Sequence, residues 1–326
     1  MNTPAGSPAL SSAKPVHFTH LIQVSELQAL RDANARFMVF DCSFDLTHTE
    51  AGGEAWRALH IPGSVHADLD KSLCAPHGQP ESDGTVHIAH EADRPASGGR
   101  HPLPSRERFA TWLSSVGFAN DMQAVVYDRN GGIYSGRLWW MLKWLGHDAV
   151  AVLDGGLKAW QAAGGPTRGG APEATDHTEE PSHFQTNLEL RPPLAKLAST
   201  ADVLDGLESQ RQQQQTVIDA RAPERYRGEV EPIDSAAGHI PGAINRPFIA
   251  NFDADGRYKA AAQLRQEFDA LLQGRDVTSV VHQCGSGVSA VPNLLAMQLA
   301  GLGDSALYAG SWSEWSADPQ RPIEKG

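Results

Sequence analysis

The chain has 326 residues, 40% of them hydrophobic and 20% charged, and a formal net charge of −12. That length accommodates two domains with separate cores, and the acidic balance excludes a surface built for nucleic acid or an anionic membrane, because counterion release needs clustered Lys and Arg. The three cysteines, Cys42, Cys74 and Cys284, form neither a disulfide framework nor a CxxC or Cys/His zinc pattern; with no run long enough for a membrane span, a cytoplasmic, reducing setting is expected.

In chain order, residues 1–16 are rich in Ala, Ser and Pro, lack an apolar signal core, and read as a disordered lead-in. Met38-Val39-Phe40-Asp41 reads as a short strand, followed about twenty residues later by His60-Ile61-Pro62-Gly63. The polar stretch from Glu81 to Arg100 reads as a long surface excursion toward the other domain. Ala124-Val125-Val126-Tyr127-Asp128 is a second strand pattern, leading through a glycine-rich loop into a helical segment from Leu138 to Leu145. Val150-Ala151-Val152-Leu153 then runs into Asp154-Gly155-Gly156, with Trp160 beyond. From Gly164 to about Ser182 the chain has no periodicity and reads as a linker.

The same sequence of landmarks then returns. Val217-Ile218-Asp219 precedes a second His-Ile-Pro-Gly at His239-Ile240-Pro241-Gly242. Val280-Val281-His282-Gln283 parallels the strand before Asp128, and Leu294 to Leu299 parallels the helix that follows it. Ala306-Leu307-Tyr308-Ala309-Gly310-Ser311 with Trp315 parallels the Val150 segment, at an offset of 155 residues (Asp154 to Ala309). An internal duplication follows. In each half, short β-branched runs alternate with longer helical patterns, which argues βα units and a parallel sheet flanked by helices. The expected α/β architecture is an N-terminal domain at 17–165, a linker at 166–183 and a C-terminal domain at 184–326.

The chemistry concentrates in Cys284-Gly285-Ser286-Gly287-Val288-Ser289-Ala290. An apolar strand runs into one cysteine, and a glycine-rich turn leads to a helix expected from about Val291. This places the sulfur at the carboxyl end of a parallel strand, where reactive groups of such sheets collect. A free thiol has a pKa of about 8.5, so a nucleophilic cysteine needs its anion stabilised. No Lys or Arg lies within the loop; backbone N–H groups, the hydroxyls of Ser286 and Ser289, and the helix dipole are the local means. A phosphatase loop of the Cys-x5-Arg type clamps phosphate with its arginine. Here that position is Ala290, which disfavours phosphate-ester hydrolysis.

Taken with the two His-Ile-Pro-Gly segments, Asp219-Ala220-Arg221 before Arg225-Tyr226-Arg227-Gly228, Trp139-Trp140-Met141, Leu153-Asp154-Gly155-Gly156 and Gly310-Ser311-Trp312-Ser313-Glu314-Trp315, this loop resembles that of the two-domain rhodanese-type sulfurtransferases. The resemblance covers about residues 17–322. It implies two tandem rhodanese-like domains, an active C-terminal one and an inactive N-terminal one in which Arg129 takes the nucleophile's place. It further implies a persulfide on Cys284, a small anionic sulfur donor, a sulfur acceptor such as cyanide, a small thiol or reduced thioredoxin, and no metal or organic cofactor. The uncharged Cys-Gly-Ser-Gly-Val-Ser is similar to the loop of members that use 3-mercaptopyruvate, with Gly285, Gly287, Val288 and Ser289 lining the donor. Ser286, His101 and Asp68 match a proposed proton relay, and Arg225 matches a clamp on the donor carboxylate. The position of a second family arginine holds Asp234, as in thiosulfate-using members, with Arg221 and Arg227 as candidate substitutes. Thiosulfate transfer and a persulfide-carrier module with little small-molecule turnover are the alternative readings.

Overall fold

The structure, a computed structural model, describes residues 17–76, 79–80, 86–87, 94–169, 186–211 and 215–326. The lead-in at 1–16, most of the polar excursion after Glu81, and most of the expected linker lie outside the described residues.

The first half runs β1 (Leu21–Ile22), α1 (Val24–Asp32), β2 (Phe37–Asp41), α2 (Ala51–Ala58), β3 (Ser64–His66), α3 (Leu69–Ser72), β4 (Gln79–Pro80), β5 (Val86–His87), α4 (Arg106–Ser115), β6 (Gln123–Tyr127), α5 (Ile133–Trp144), β7 (Val150–Leu153) and α6 (Gly156–Ala162). The second runs β8 (Lys196–Ala198), α7 (Thr200–Arg211), β9 (Thr216–Asp219), α8 (Pro223–Tyr226), β10 (Ile244–Asn245), α9 (Ala261–Leu272), β11 (Val280–Gln283), α10 (Val291–Leu299), β12 (Ala306–Tyr308) and α11 (Ser311–Trp315). Each half forms one five-stranded parallel sheet, ordered β1-β7-β6-β2-β3 and β8-β12-β11-β9-β10. Replacing each strand of the first order by its counterpart gives the second, so the duplication holds strand by strand.

The central strands β6 and β11 are buried at every position, as strands covered on both faces require. Both His-Ile-Pro-Gly histidines are structural. His60 Nδ1 bonds Trp56 O at 2.6 Å and stacks on Trp56; His239 Nδ1 bonds Tyr226 O at 2.8 Å and stacks on Tyr226.

The two halves share one core. Helix α5 is buried along nearly its whole length and packs on α10. The contact is close at Gly136, where a Cβ would lie 3.4 Å from Val291 Cγ1. Leu138, Trp140 and Met141 of the first half and Val288, Val291 and Leu295 of the second belong to a single apolar cluster. Beyond the linker the chain first follows the N-terminal half. Thr186, Leu188, Arg191 and Leu194 donate their backbone N–H groups to Ser114, Leu145 and Lys143. Among the described residues no helix is long and apolar enough to cross a membrane.

Candidate active site

Cys284 follows β11 and is 1% exposed. Its backbone is pinned from both sides by the first turn of α11. Its N–H donates to Ser311 Oγ at 3.1 Å, its carbonyl accepts from Trp312 N at 3.0 Å, and Gly285 O accepts from Ser313 N at 2.8 Å. Gly287 has φ +72, and a Cβ there would fall 2.1 Å from Ala309 O, so both conformation and space demand glycine. Helix α10 begins at Val291, as the sequence leads one to expect, and points its positive end at this turn. Ala290 is fully buried, leaving no room for a phosphate-clamping arginine.

Ser286 and His101 meet across the domain boundary, Oγ to Nδ1, at 2.7 Å, and both are buried. The acid behind them differs from expectation. Asp68 is the N-cap of α3, with Oδ1 accepting from Asp70 N at 2.9 Å and Lys71 N at 3.1 Å. Its carboxylate is committed to the helix terminus. Asp70, two residues on in the first turn, brings Oδ1 to 3.9 Å from His101 Nε2. Of the two acids, Asp70 is therefore the one placed beside His101, at ion-pair rather than hydrogen-bond distance.

A buried guanidinium also stands behind the loop. Arg137 of α5 is 0% exposed and donates to Gly287 O at 3.2 Å, Leu73 O at 3.3 Å and His101 O at 3.0 Å. It thus ties the loop to the end of α3 and to His101. No described carboxylate pairs with it. Burial weakens its hold on a proton, an effect opposed by the neighbouring Cys74 and Cys284 sulfurs. Burial also pushes the Cys74 thiol up to about 12, so Cys74 stays a protonated, passive neighbour. His282, two residues before Cys284 on β11, is a core residue. It is fully buried, its Nε2 lies 3.1 Å from Met297 Sδ, and burial lowers its pKa to about 3.

The mouth above Gly285 is lined by charge. Arg225 on α8 donates Nη2 to Glu231 Oε1 at 2.6 Å and to Asp234 Oδ2 at 3.0 Å. Burial alone would raise the Glu231 carboxyl, but the Arg225 hydrogen bond and charge hold it below its ordinary value. Arg100 of the first half also pairs with Asp234. Neither candidate substitute arginine reaches the loop. Arg221 is locked on Asp219 and Gly238 O and stacks over Trp312 at 4.6 Å, while Arg227 pairs with Glu229 at the surface. Sequence reasoning missed Arg100, Arg137 and Asp70 as site residues. The first two reach the site only through the packing of one half on the other; Asp70 stood beside the chosen Asp68, and helix phase decides between them.

The rhodanese-like domain profile matches residues 23–163 and 199–318. A probable 3-mercaptopyruvate sulfurtransferase of Pseudomonas aeruginosa is 42% identical over 299 residues, 91% of this chain and 95% of that protein. A putative thiosulfate sulfurtransferase of Mycobacterium tuberculosis is 35% identical over 309 residues, 94% and 97% of the two chains. The chain belongs to the rhodanese-like sulfurtransferases. Among solved structures, 3-mercaptopyruvate sulfurtransferase from Leishmania major superposes with a TM-score of 0.73 at 28% identity, covering 94% of this chain and 76% of that one.

The first rhodanese-like half carries its own version of the loop. Tyr127 pairs with Asp41 and Gln283 with Asp219, so the residue that answers Cys284 is Asp128. This corrects the assignment of Arg129, because the central strands are offset by one residue more than the 155 of the neighbouring strands. Arg129 turns away to Asp41, Ser43 and the carbonyls of Ala55 and Leu59. Asp128 turns inward. Its carboxylate accepts from the N–H groups of Asn130, Gly132, Tyr134 and Ser135 at 2.9–3.0 Å, and from Ser135 Oγ at 3.0 Å. A turn of this type is an anion cradle, and in the first half it is filled by the chain's own carboxylate.

Proposed function

We propose that the protein moves sulfane sulfur from 3-mercaptopyruvate to a thiol or cyanide acceptor through a persulfide on Cys284. The observation that carries this reading is the 2.7 Å contact between Ser286 and His101 beside an uncharged cysteine loop. The Cys284 thiolate attacks the donor sulfur. The carbon–sulfur bond breaks, its electron pair passes to the pyruvate enolate, and Cys284 holds the outer sulfur as a persulfide. Enolate is a basic leaving group, and a proton from Ser286, replenished through His101, turns it into pyruvate. An acceptor thiolate such as that of reduced thioredoxin then attacks the outer sulfur, and the sulfur–sulfur bond breaks to return the thiolate of Cys284. Arg225 binds the donor carboxylate, and Gly285, Gly287, Val288 and Ser289 shape the space around the transferred sulfur. Sparse, unpaired cysteines favour a cytoplasmic setting for this cycle.

Thiosulfate is the second donor, favoured by Asp234 in a segment that resembles the thiosulfate-using members. Sulfite then leaves in place of the enolate, and no proton transfer to carbon is needed. Steady-state rates with both donors test the reading: a higher kcat/KM for 3-mercaptopyruvate is expected, and a strong preference for thiosulfate would overturn it. After donor treatment, mass spectrometry should find one added sulfur atom on the Cys284 peptide. Turnover surviving in Cys284→Ser would remove the persulfide from the account.

A further inference from the structure

Among the described residues Arg137 is the most deeply buried guanidinium, at 0% exposed. Two other arginines are nearly as buried, and each has a carboxylate: Arg221 on Asp219 at 2.6 Å and Arg246 on Glu267 at 2.8 Å. Arg137 has none among the described residues. Its donors go to the carbonyls of Gly287, Leu73 and His101, and its Nε has no partner there. Carbonyls satisfy N–H groups without neutralising the charge. A guanidinium does not shed its proton at ordinary pH, and a buried charge without a counter-charge is costly. Its retention on α5 points to an anion close by.

Besides burial, the groups that act on the Arg137 charge are the sulfurs of Cys74 and Cys284. Cys74 is not the anion, because burial pushes its thiol up to about 12. Cys284 precedes the glycine turn at the start of α10, where the helix dipole favours negative charge. Arg137 Nη1 reaches Gly287 O in that same turn, at 3.2 Å. The other ionisable groups around the loop have other partners. On β11 His282 is uncharged, its pKa lowered by burial to about 3, and α10 carries no ionisable side chain. Asp219 of β9 holds Arg221, and at the mouth Glu231 and Asp234 hold Arg225, with Asp234 also on Arg100. Glu314 of α11 faces Tyr308. From the first half, Asp68 caps α3 and Asp70 lies beside His101. None of these carboxylates is bonded to Arg137.

We infer that Arg137 is a positioning residue for the nucleophile: the counter-charge that the first half places behind the Cys284 loop, stabilising the sulfur as thiolate and as persulfide. Being fully buried, it acts through Gly287 and through space and does not meet the donor. Such a charge works on both half-reactions. It raises the share of thiolate that attacks the donor sulfur. It also makes Cys284 a better leaving group when an acceptor thiolate takes the outer sulfur and the electron pair of the sulfur–sulfur bond returns to Cys284. The inference deepens the sulfur-transfer reading and rests on it for the persulfide step.

Its test needs no sulfur donor. Alkylation by iodoacetamide, a neutral reagent, is followed on the Cys284 peptide by mass spectrometry across the pH range in which the protein stays folded. In Arg137→Met the midpoint of the rate profile should move up by about one pH unit or more, the effect of losing one opposite charge a few ångströms away. Well above that midpoint the variant should react about three-fold faster, since a more basic thiolate is the stronger nucleophile. Arg137→Lys should keep the midpoint near that of wild type. Arg137→Gln, neutral but still a donor, should behave as Arg137→Met and replaces it if that variant does not fold. A lower rate at every pH with the midpoint in place, as a purely structural role requires, would overturn the inference. An equal shift in Arg137→Lys and the neutral variant would overturn it too, because the hydrogen bonds and not the charge would then decide. Should wild type accept sulfur from neither donor while the midpoint moves as expected, the proposed function fails and the counter-charge stands.

Discussion

Ser286 and His101 form a contact that either sulfur donor would meet but only one requires. 3-Mercaptopyruvate leaves an enolate that needs a proton at carbon, whereas sulfite leaves without one. His101→Gln is therefore expected to lower kcat with 3-mercaptopyruvate by about 10²-fold, the usual worth of general acid–base help. Persulfide formation from thiosulfate should be largely spared. Pyruvate release and sulfite release, followed side by side, check this. The two neighbouring acids should separate in the same way. Asp70→Asn should reduce mercaptopyruvate turnover, because Asp70 faces His101. Asp68→Asn should chiefly perturb the start of α3, since an uncharged cap keeps the geometry and loses only part of about 1 kcal/mol. At this scale Cys284, Ser286 and Arg225 are legible in the sequence because they sit in local motifs. Asp68 and Asp70 are equally acidic and two residues apart, and only the phase of a four-residue helix distinguishes them.

Strand β11 and helix α10 form the element pair that presents the sulfur, and their pH response is set beside the nucleophile. His282 lies on β11 with a pKa of about 3, lowered by burial and further by the Arg246 charge. A histidine whose folded pKa lies below its unfolded value of about 6.5 favours the folded state above that pH. The contribution is lost as pH falls from 6.5 toward 3, because the unfolded chain then binds a proton that the folded one refuses. The stability of wild type should accordingly fall between pH 6.5 and 5 with a slope approaching about 1.4 kcal/mol per pH unit from this residue. His282→Leu, close in volume and unable to titrate, should flatten that part of the profile. Urea midpoints across the range measure it, and an unchanged slope would show that His282 takes up its proton as readily in the folded chain as in the unfolded one. The strands, the glycine turn and the start of α10 are readable from alternating runs and chain punctuation, which act over a few residues. Whether His282 supports the loop or fills the core is settled by what lies across the sheet, here Met297.

The whole molecule is two copies of one fold whose shared core brings groups from both halves to the cysteine loop. The first half supplies Arg100, His101, Asp70 and Arg137, and the second half supplies the cysteine loop and Arg225. The seam is the crossing of α5 and α10, where Gly136 lets the helices approach. Gly136→Leu should wedge this seam open, at a cost of about 1–3 kcal/mol for overpacking. It should lower mercaptopyruvate turnover more than iodoacetamide alkylation of Cys284, because it displaces the parts that come from the other half. A turnover loss no larger than the loss of alkylation would mean that the seam does not set the site. The duplication, the parallel sheets and the reactive cysteine were determined by the sequence itself, since each is written in contiguous runs and repeated motifs. Tertiary structure alone decided the acid behind His101, the residue that fills the first cradle and the guanidinium beside Arg225. Register, helix phase and the docking of one half on the other bring those groups within a few ångströms, and none of these is encoded in the spacing of residues along the chain.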